Sequence, residues 1–80
     1  MKITLVAFGI ARDILKDHSI ELEIEDRMSI GQLKQHLLDQ YDEFGKLAHF
    51  RMAVNEEYKE DEFGLSHKDE VIIIPPVSGG

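Results

Sequence analysis

The residues best suited to chemistry stand at the end of the chain, in Pro75-Pro76-Val77-Ser78-Gly79-Gly80. Gly80 closes the sequence with a free carboxylate. A carboxylate is a poor acyl donor at neutral pH. It becomes reactive once one oxygen is turned into a good leaving group, as in an acyl adenylate. A sulfur nucleophile can then displace the adenylate and leave a thiocarboxylate. The chain contains no cysteine, so this terminus is where sulfur would be held covalently. The two glycines lack side chains and can thread a narrow channel. Six extended residues reach roughly 20 Å, enough to enter a partner's active site. The activating machinery then belongs to partners, and this chain is the arm that is loaded and unloaded. A Gly-Gly end also reads as a frayed terminus or a cloning remnant. The stiff Pro-Pro joint and the strand that feeds it favour the arm.

The other candidates carry little. His18, His36, His49 and His67 have no paired spacing, so no metal site is expected. No Gly-x-Gly-x-x-Gly or Walker pattern occurs, and no bound nucleotide or other cofactor is expected. Asp61-Glu62 and Asp69-Glu70 are adjacent carboxylates that point apart on a strand or turn, poor geometry for acid–base work.

Stepping outward from the arm, 80 residues make one small domain with a thin core. Sixteen acids against nine bases give a net charge of −7. That balance argues against nucleic acid and suits a partner with a basic docking surface. No apolar run approaches the roughly 20 residues needed to span a membrane, and Met1-Lys2 runs directly into a strand pattern without a leader. The expectation is a soluble, cytoplasmic protein.

The elements that must position the arm follow from periodicity. Val71–Ile74 is a β-branched apolar run, read as a strand buried on both faces and stopped by Pro75. Lys2–Phe8 is a second strand apolar on both faces, with Ile3, Leu5 and Ala7 opposite Thr4, Val6 and Phe8. Ile10–Lys16 reads as a single helical turn or a wide hairpin connection, with Arg12 exposed. Ser19–Glu25 alternates Ile20, Leu22 and Ile24 inside against three glutamates outside. The helix is expected at 29–41. Ser29 is its N-cap, Gln32 completes a capping box, and Met28 with Leu33 forms a hydrophobic staple. Ile30, Leu33, Leu37, Leu38 and Tyr41 share one face. Asp42–Phe50 is a connector with a short turn near Glu43–Leu47. Arg51–Val54 and Glu57–Lys59 form a hairpin about Asn55-Glu56.

This order, with a right-handed crossover through the helix, predicts an α+β fold. It is a β-grasp, or ubiquitin-like, roll: a mixed sheet with one main helix on one face. The first and last strands pair in parallel at its centre. The domain spans 1–74, and 75–80 is a flexible, extended tail. One helix covers one face, so Val6, Phe8 and two of the final isoleucines need other cover. Either a partner supplies it, or a loop such as 42–50 does.

The end Asp69-Glu70-Val71…Pro75-Pro76-Val77-Ser78-Gly79-Gly80 resembles the small subunit of molybdopterin synthase, the MoaD-type sulfur carriers of the ThiS/MoaD ubiquitin-like family. Phe8…Ala11-Arg12, Ser29-Ile30-Gly31-Gln32-Leu33 and Ala53-Val54-Asn55 extend the resemblance along the chain. Lys68 and Glu56 depart from it where the family usually or often has glycine. The resemblance implies a cycle in which an ATP-dependent, MoeB-type activating enzyme adenylates Gly80 and sulfur converts it to a thiocarboxylate. The tail Pro75, Pro76, Val77, Ser78 and Gly79 then inserts into the large subunit. The sulfur attacks cyclic pyranopterin monophosphate, and two transfers build the molybdopterin dithiolene. The resemblance further implies a heterotetramer of two large and two small subunits, with Phe8, Arg12, Tyr58 and Ile74 on the partner face. Related carriers for thiamine or tRNA thiolation, a ubiquitin-like modifier, and a plain interaction module with an inert tail are the alternatives.

Overall fold

The computed structural model describes residues 1–46 and 50–74. In chain order the elements are β1 (Lys2–Ala7), α1 (Gly9–Leu15), β2 (Ser19–Glu23), α2 (Ile30–Gln40), a 3-10 turn (Asp42–Lys46), β3 (Arg51–Val54), β4 (Glu57–Tyr58) and β5 (Glu70–Ile74). The five strands form one sheet in the order β2-β1-β5-β3-β4. β1 and β5 pair in parallel, with Leu5 beside Val71 and Ala7 beside Ile73. β1 with β2, β3 with β5 and β3 with β4 are antiparallel. The expected β-grasp architecture, with the first and last strands joined near its centre, is the one observed.

α2 starts where its sequence says. The Gln32 N–H donates to the Ser29 hydroxyl (3.1 Å), and the Ser29 N–H donates to Gln32 Oε1 (2.9 Å). Two donors that no helix turn can satisfy are thereby paired. The helix presents Ile30, Leu33 and Leu37 to the core, while Leu38 and Tyr41 pack at its margin. The loop before β5 clasps its first turn. The Ile30 N–H donates to the Phe63 carbonyl (3.0 Å) and the Gly31 N–H to the Asp61 carbonyl (2.9 Å). A Cβ on Gly31 would sit 3.3 Å from Asp61 Cβ, so this close approach favours glycine.

The segment read as one turn or a hairpin connection is a seven-residue helix, α1, that buries Ala11, Ile14 and Leu15. Gly9, at φ 55°, lets the chain swing from β1 into the helix. Lys16 ends it in the left-handed region, its N–H returning to the Arg12 carbonyl (2.7 Å). The sheet therefore carries a second, shorter helix beside the main one, α2. The 42–50 connector does not cover the open face, as far as it is described. Phe44 of the 3-10 turn is completely buried in the main core, edge-on to Tyr41 (5.9 Å) and tilted against Phe50 (5.5 Å).

With both helices on one side, β5 is not buried on both faces. Val71 and Ile73 are fully buried, whereas Ile72 and Ile74 are half-buried. Edge position has the same effect on β2, where Ile20 and Leu22 are half-buried and Ile24, just beyond the strand, is buried.

Asn55 and Glu56 (φ 50° and 74°) make the two-residue turn between β3 and β4. Asn55 then ties this turn to β5. Its Nδ2 donates to Asp69 Oδ1 (3.0 Å), and its Oδ1 accepts from the Glu70 N–H (3.0 Å). Lys68 also has positive φ (71°). Both positions at which the sequence departs from the resembling family's glycine thus adopt the conformation that glycine tolerates best.

Candidate functional site

The site is assembled by strand register. Directly paired residues place their side chains on the same face, so Ser19, Val6, Ile72, Ala53 and Tyr58 form one row across all five strands on the side away from the helices. One step toward the exit of β5, Ile74 lies opposite Arg51. Phe8 continues the outward phase of Val6, since its backbone is still extended (φ −129°, ψ 159°). On the other side of the central row, Glu21, Thr4 and Glu70 form a polar border.

Phe8, Ile74 and Tyr58, named together from the resemblance, lie on one face of the sheet. Phe8 is 49% exposed and Tyr58 59% exposed, in a chain whose large apolar residues are otherwise mostly covered. Arg12 sits one turn into α1, its N–H directed at the Phe8 carbonyl (3.4 Å), with an exposed side chain that forms no ion pair among the described residues.

Sequence reasoning missed two members of this surface and a further exposed apolar side chain in α1. The Arg51 guanidinium lies 4.6 Å from the centroid of the Tyr58 ring, a cation–π contact across the β3–β4 hairpin. His18 stands edge-on to Phe8 at 5.0 Å. Ile10, two residues beyond Phe8, is 50% exposed. The signal for Arg51 was its place two residues before Ala53, on the same strand face.

The result is an apolar surface with arginines at the end where β5 leaves the sheet, on a molecule of net charge −7. Pro75, Pro76, Val77, Ser78, Gly79 and Gly80 lie outside the described residues, as does His49. The remaining histidines are dispersed. His36 lines a groove beside α2, and His67 Nδ1 accepts the Lys2 N–H (3.1 Å). No helix among the described residues is long and apolar enough to cross a membrane.

The chain has relatives among known proteins. The chain is 34% identical over 85 aligned positions to the molybdopterin synthase sulfur carrier subunit of Arabidopsis thaliana, covering 100% of this chain and 84% of that protein. A structure of the putative molybdopterin converting factor, subunit 1, from Pyrococcus furiosus superposes with TM-score 0.86 at 21% identity, over 96% of this chain and 99% of that one. In a complex of subunits 1 and 2 of the molybdopterin-converting factor from Helicobacter pylori, the matching chain superposes with TM-score 0.68 at 21% identity, each chain covered in full. At such identities the two structures speak for the fold. The model of the ThiS family matches residues 5–80, nearly the whole sequence. On that match and the Arabidopsis relative together, this chain belongs to the ThiS family.

Proposed function

We propose that this chain is the sulfur carrier subunit of a molybdopterin synthase. The observation that carries the reading is the juxtaposition of an uncovered apolar face, Phe8, Ile72, Ile74 and Tyr58, with the point where β5 gives way to the Pro-Pro-Val-Ser-Gly-Gly end. The name of the Arabidopsis relative supports the same reading.

On this proposal the chain is no enzyme by itself. A MoeB-type activating enzyme joins the Gly80 carboxylate to the AMP moiety of ATP and releases pyrophosphate. A sulfur nucleophile forms the new C–S bond as the C–O bond to AMP breaks, leaving a thiocarboxylate at Gly80. The open face then docks on the large subunit, in a heterotetramer of two large and two small subunits. Phe8, Tyr58 and Ile74 supply apolar area, and Arg12 supplies charge. Pro75 and Pro76 direct Val77, Ser78 and Gly79 into the partner's active site, where the Gly80 sulfur attacks cyclic pyranopterin monophosphate. Two transfers complete the dithiolene. On the same proposal the protein is cytoplasmic, and ATP is consumed by the activating enzyme rather than held here.

Intact mass tests this directly. Incubation with ATP, a sulfur donor and host extract should add about 16 Da at Gly80, one oxygen replaced by sulfur. An unchanged mass, with a control carrier converted in parallel, overturns the carrier reading. One extra residue after Gly80 should abolish the conversion, whereas an inert tail would tolerate it. Isopeptide conjugates to lysines of other proteins would instead identify a modifier.

A further inference from the structure

The two edges of the sheet are finished differently. β4 is two residues long and is followed by Lys59, so it offers little to pair with. β2 runs five residues with neither proline nor lysine in it. Its hydrogen-bonding phase is fixed at both ends. Met1 and Ile24 exchange both main-chain bonds (2.6 and 2.8 Å), and the Ala7 N–H donates to the His18 carbonyl (2.8 Å). Antiparallel ladders alternate. Ile20 and Leu22 therefore bond to β1, while the N–H and C=O groups of Glu21 and Glu23 point away from the sheet.

Three features accompany this open ladder. Ile20 and Leu22 are half-buried on the inner face of the edge. Between the end of β2 and α2 lies a groove of about 550 Å³, lined by Ile24 and Met28 together with the carboxylates of Glu23, Glu25 and Asp39. No lysine or arginine lines it. Glu23 is met by the Met1 α-amino group at 3.0 Å, but Glu25 and Asp39 have no cationic partner among the described residues.

We propose that this edge is a docking site for an extended basic segment of a partner protein, which adds to β2 as a further strand. Main-chain bonds to Glu21 and Glu23 hold the segment. Lysine or arginine side chains on one of its faces meet Glu21 and Glu23 as cross-strand pairs. Apolar side chains on the other face cover Ile20 and Leu22 and enter the groove beside Met28. The negative rim excludes nucleic acid and anionic lipid as occupants. The site lies at the end of the sheet where β1 begins, opposite the exit of β5. It does not rest on the carrier proposal, and a partner there leaves Phe8, Ile74 and Tyr58 free.

The test is an NMR titration of the labelled protein with a short blocked peptide alternating lysine and valine. The amides of Glu21 and Glu23 should shift and become protected from solvent exchange, the Met28 methyl should shift, and Ile72 should not. Glu21→Pro removes an outward N–H without touching the ladder to β1, and should weaken binding about five- to tenfold. A peptide N-methylated at alternate residues keeps its charge and should lose binding similarly. Unchanged affinity for that peptide, or shifts spread equally over Glu43, Glu60 and Glu62, would overturn the proposal in favour of general attraction to an acidic protein. Neither result bears on the mass gain at Gly80.

Discussion

One sheet has two faces, made largely from the same residue types and treated in opposite ways. On the inner face Leu5, Val71 and Ile73 are wholly covered by the helices and the 3-10 turn. On the outer face Val6, Ile72 and Ile74 are half-buried, and Phe8 and Tyr58 are about half exposed or more. Apolar side chains on both faces of β1 and β5 do not reveal which face the rest of the chain will cover. That is decided by the crossover from β2 to β3, which sends α2 and Phe44 to one side, where α1 of the β1–β2 connection joins them. The inner face carries stability. On the proposed function, the outer face is left for recognition.

Substitutions can test this division. The largest effect is expected inside. Phe44→Ala empties a fully buried site and should lower stability by about 3–5 kcal/mol in urea unfolding. Phe8→Asp is the counter-experiment. It should change stability by no more than about 0.5 kcal/mol, yet weaken binding to a molybdopterin synthase large subunit by about 2 kcal/mol, or some 30-fold. If Phe8→Asp unfolds the protein, the outer face is structural and the division fails.

Smaller effects sharpen the comparison by touching neither face. Lys68→Gly and Glu56→Gly relieve positive φ at two turns. Each should raise the unfolding midpoint, by up to about 1 kcal/mol after the extra unfolded-state freedom of glycine is subtracted. The smallest concerns Met1, whose α-amino group is held above the usual 8.0 chiefly by its hydrogen bond to Glu23, against a desolvation cost. A raised pKa means the contribution is complete below the unfolded value and is lost as pH climbs through the folded one. Stability should therefore dip slightly at alkaline pH, and Glu23→Gln should flatten that dip in denaturation curves recorded across it.

Much of the frame was legible because local rules and global packing agreed. The capping box at Ser29 and Gln32 is a purely local device, and it is present as written. The parallel pairing of β1 with β5 followed from apolar runs at both ends of the sequence. α1 was harder. Gly9 reads as the end of a strand, and seven residues give too little periodicity to outweigh it, although Ala11, Ile14 and Leu15 already had helical spacing. Phe44 stood in a short connector between acidic and glycine residues, with no repeat to mark it as core. Tyr58 came to the candidate site from the resemblance alone, whereas Phe8 and two of the final isoleucines were legible as apolar residues without cover. The Arg51–Tyr58 stack was not, because it depends on the register of a hairpin with a two-residue strand.

The position of β5 has a consequence for biosynthesis. β5, the last of the described strands in chain order, lies between β1 and β3. Until it leaves the ribosome, β1 with β2 and β3 with β4 are separate ribbons with no ladder between them, and joining them closes a loop nearly as long as the chain. The sheet is complete only when the segment bearing the C-terminal arm is itself in place. A chain without β5 thus has no assembled outer face, and on the proposed function it would have none to offer a large subunit.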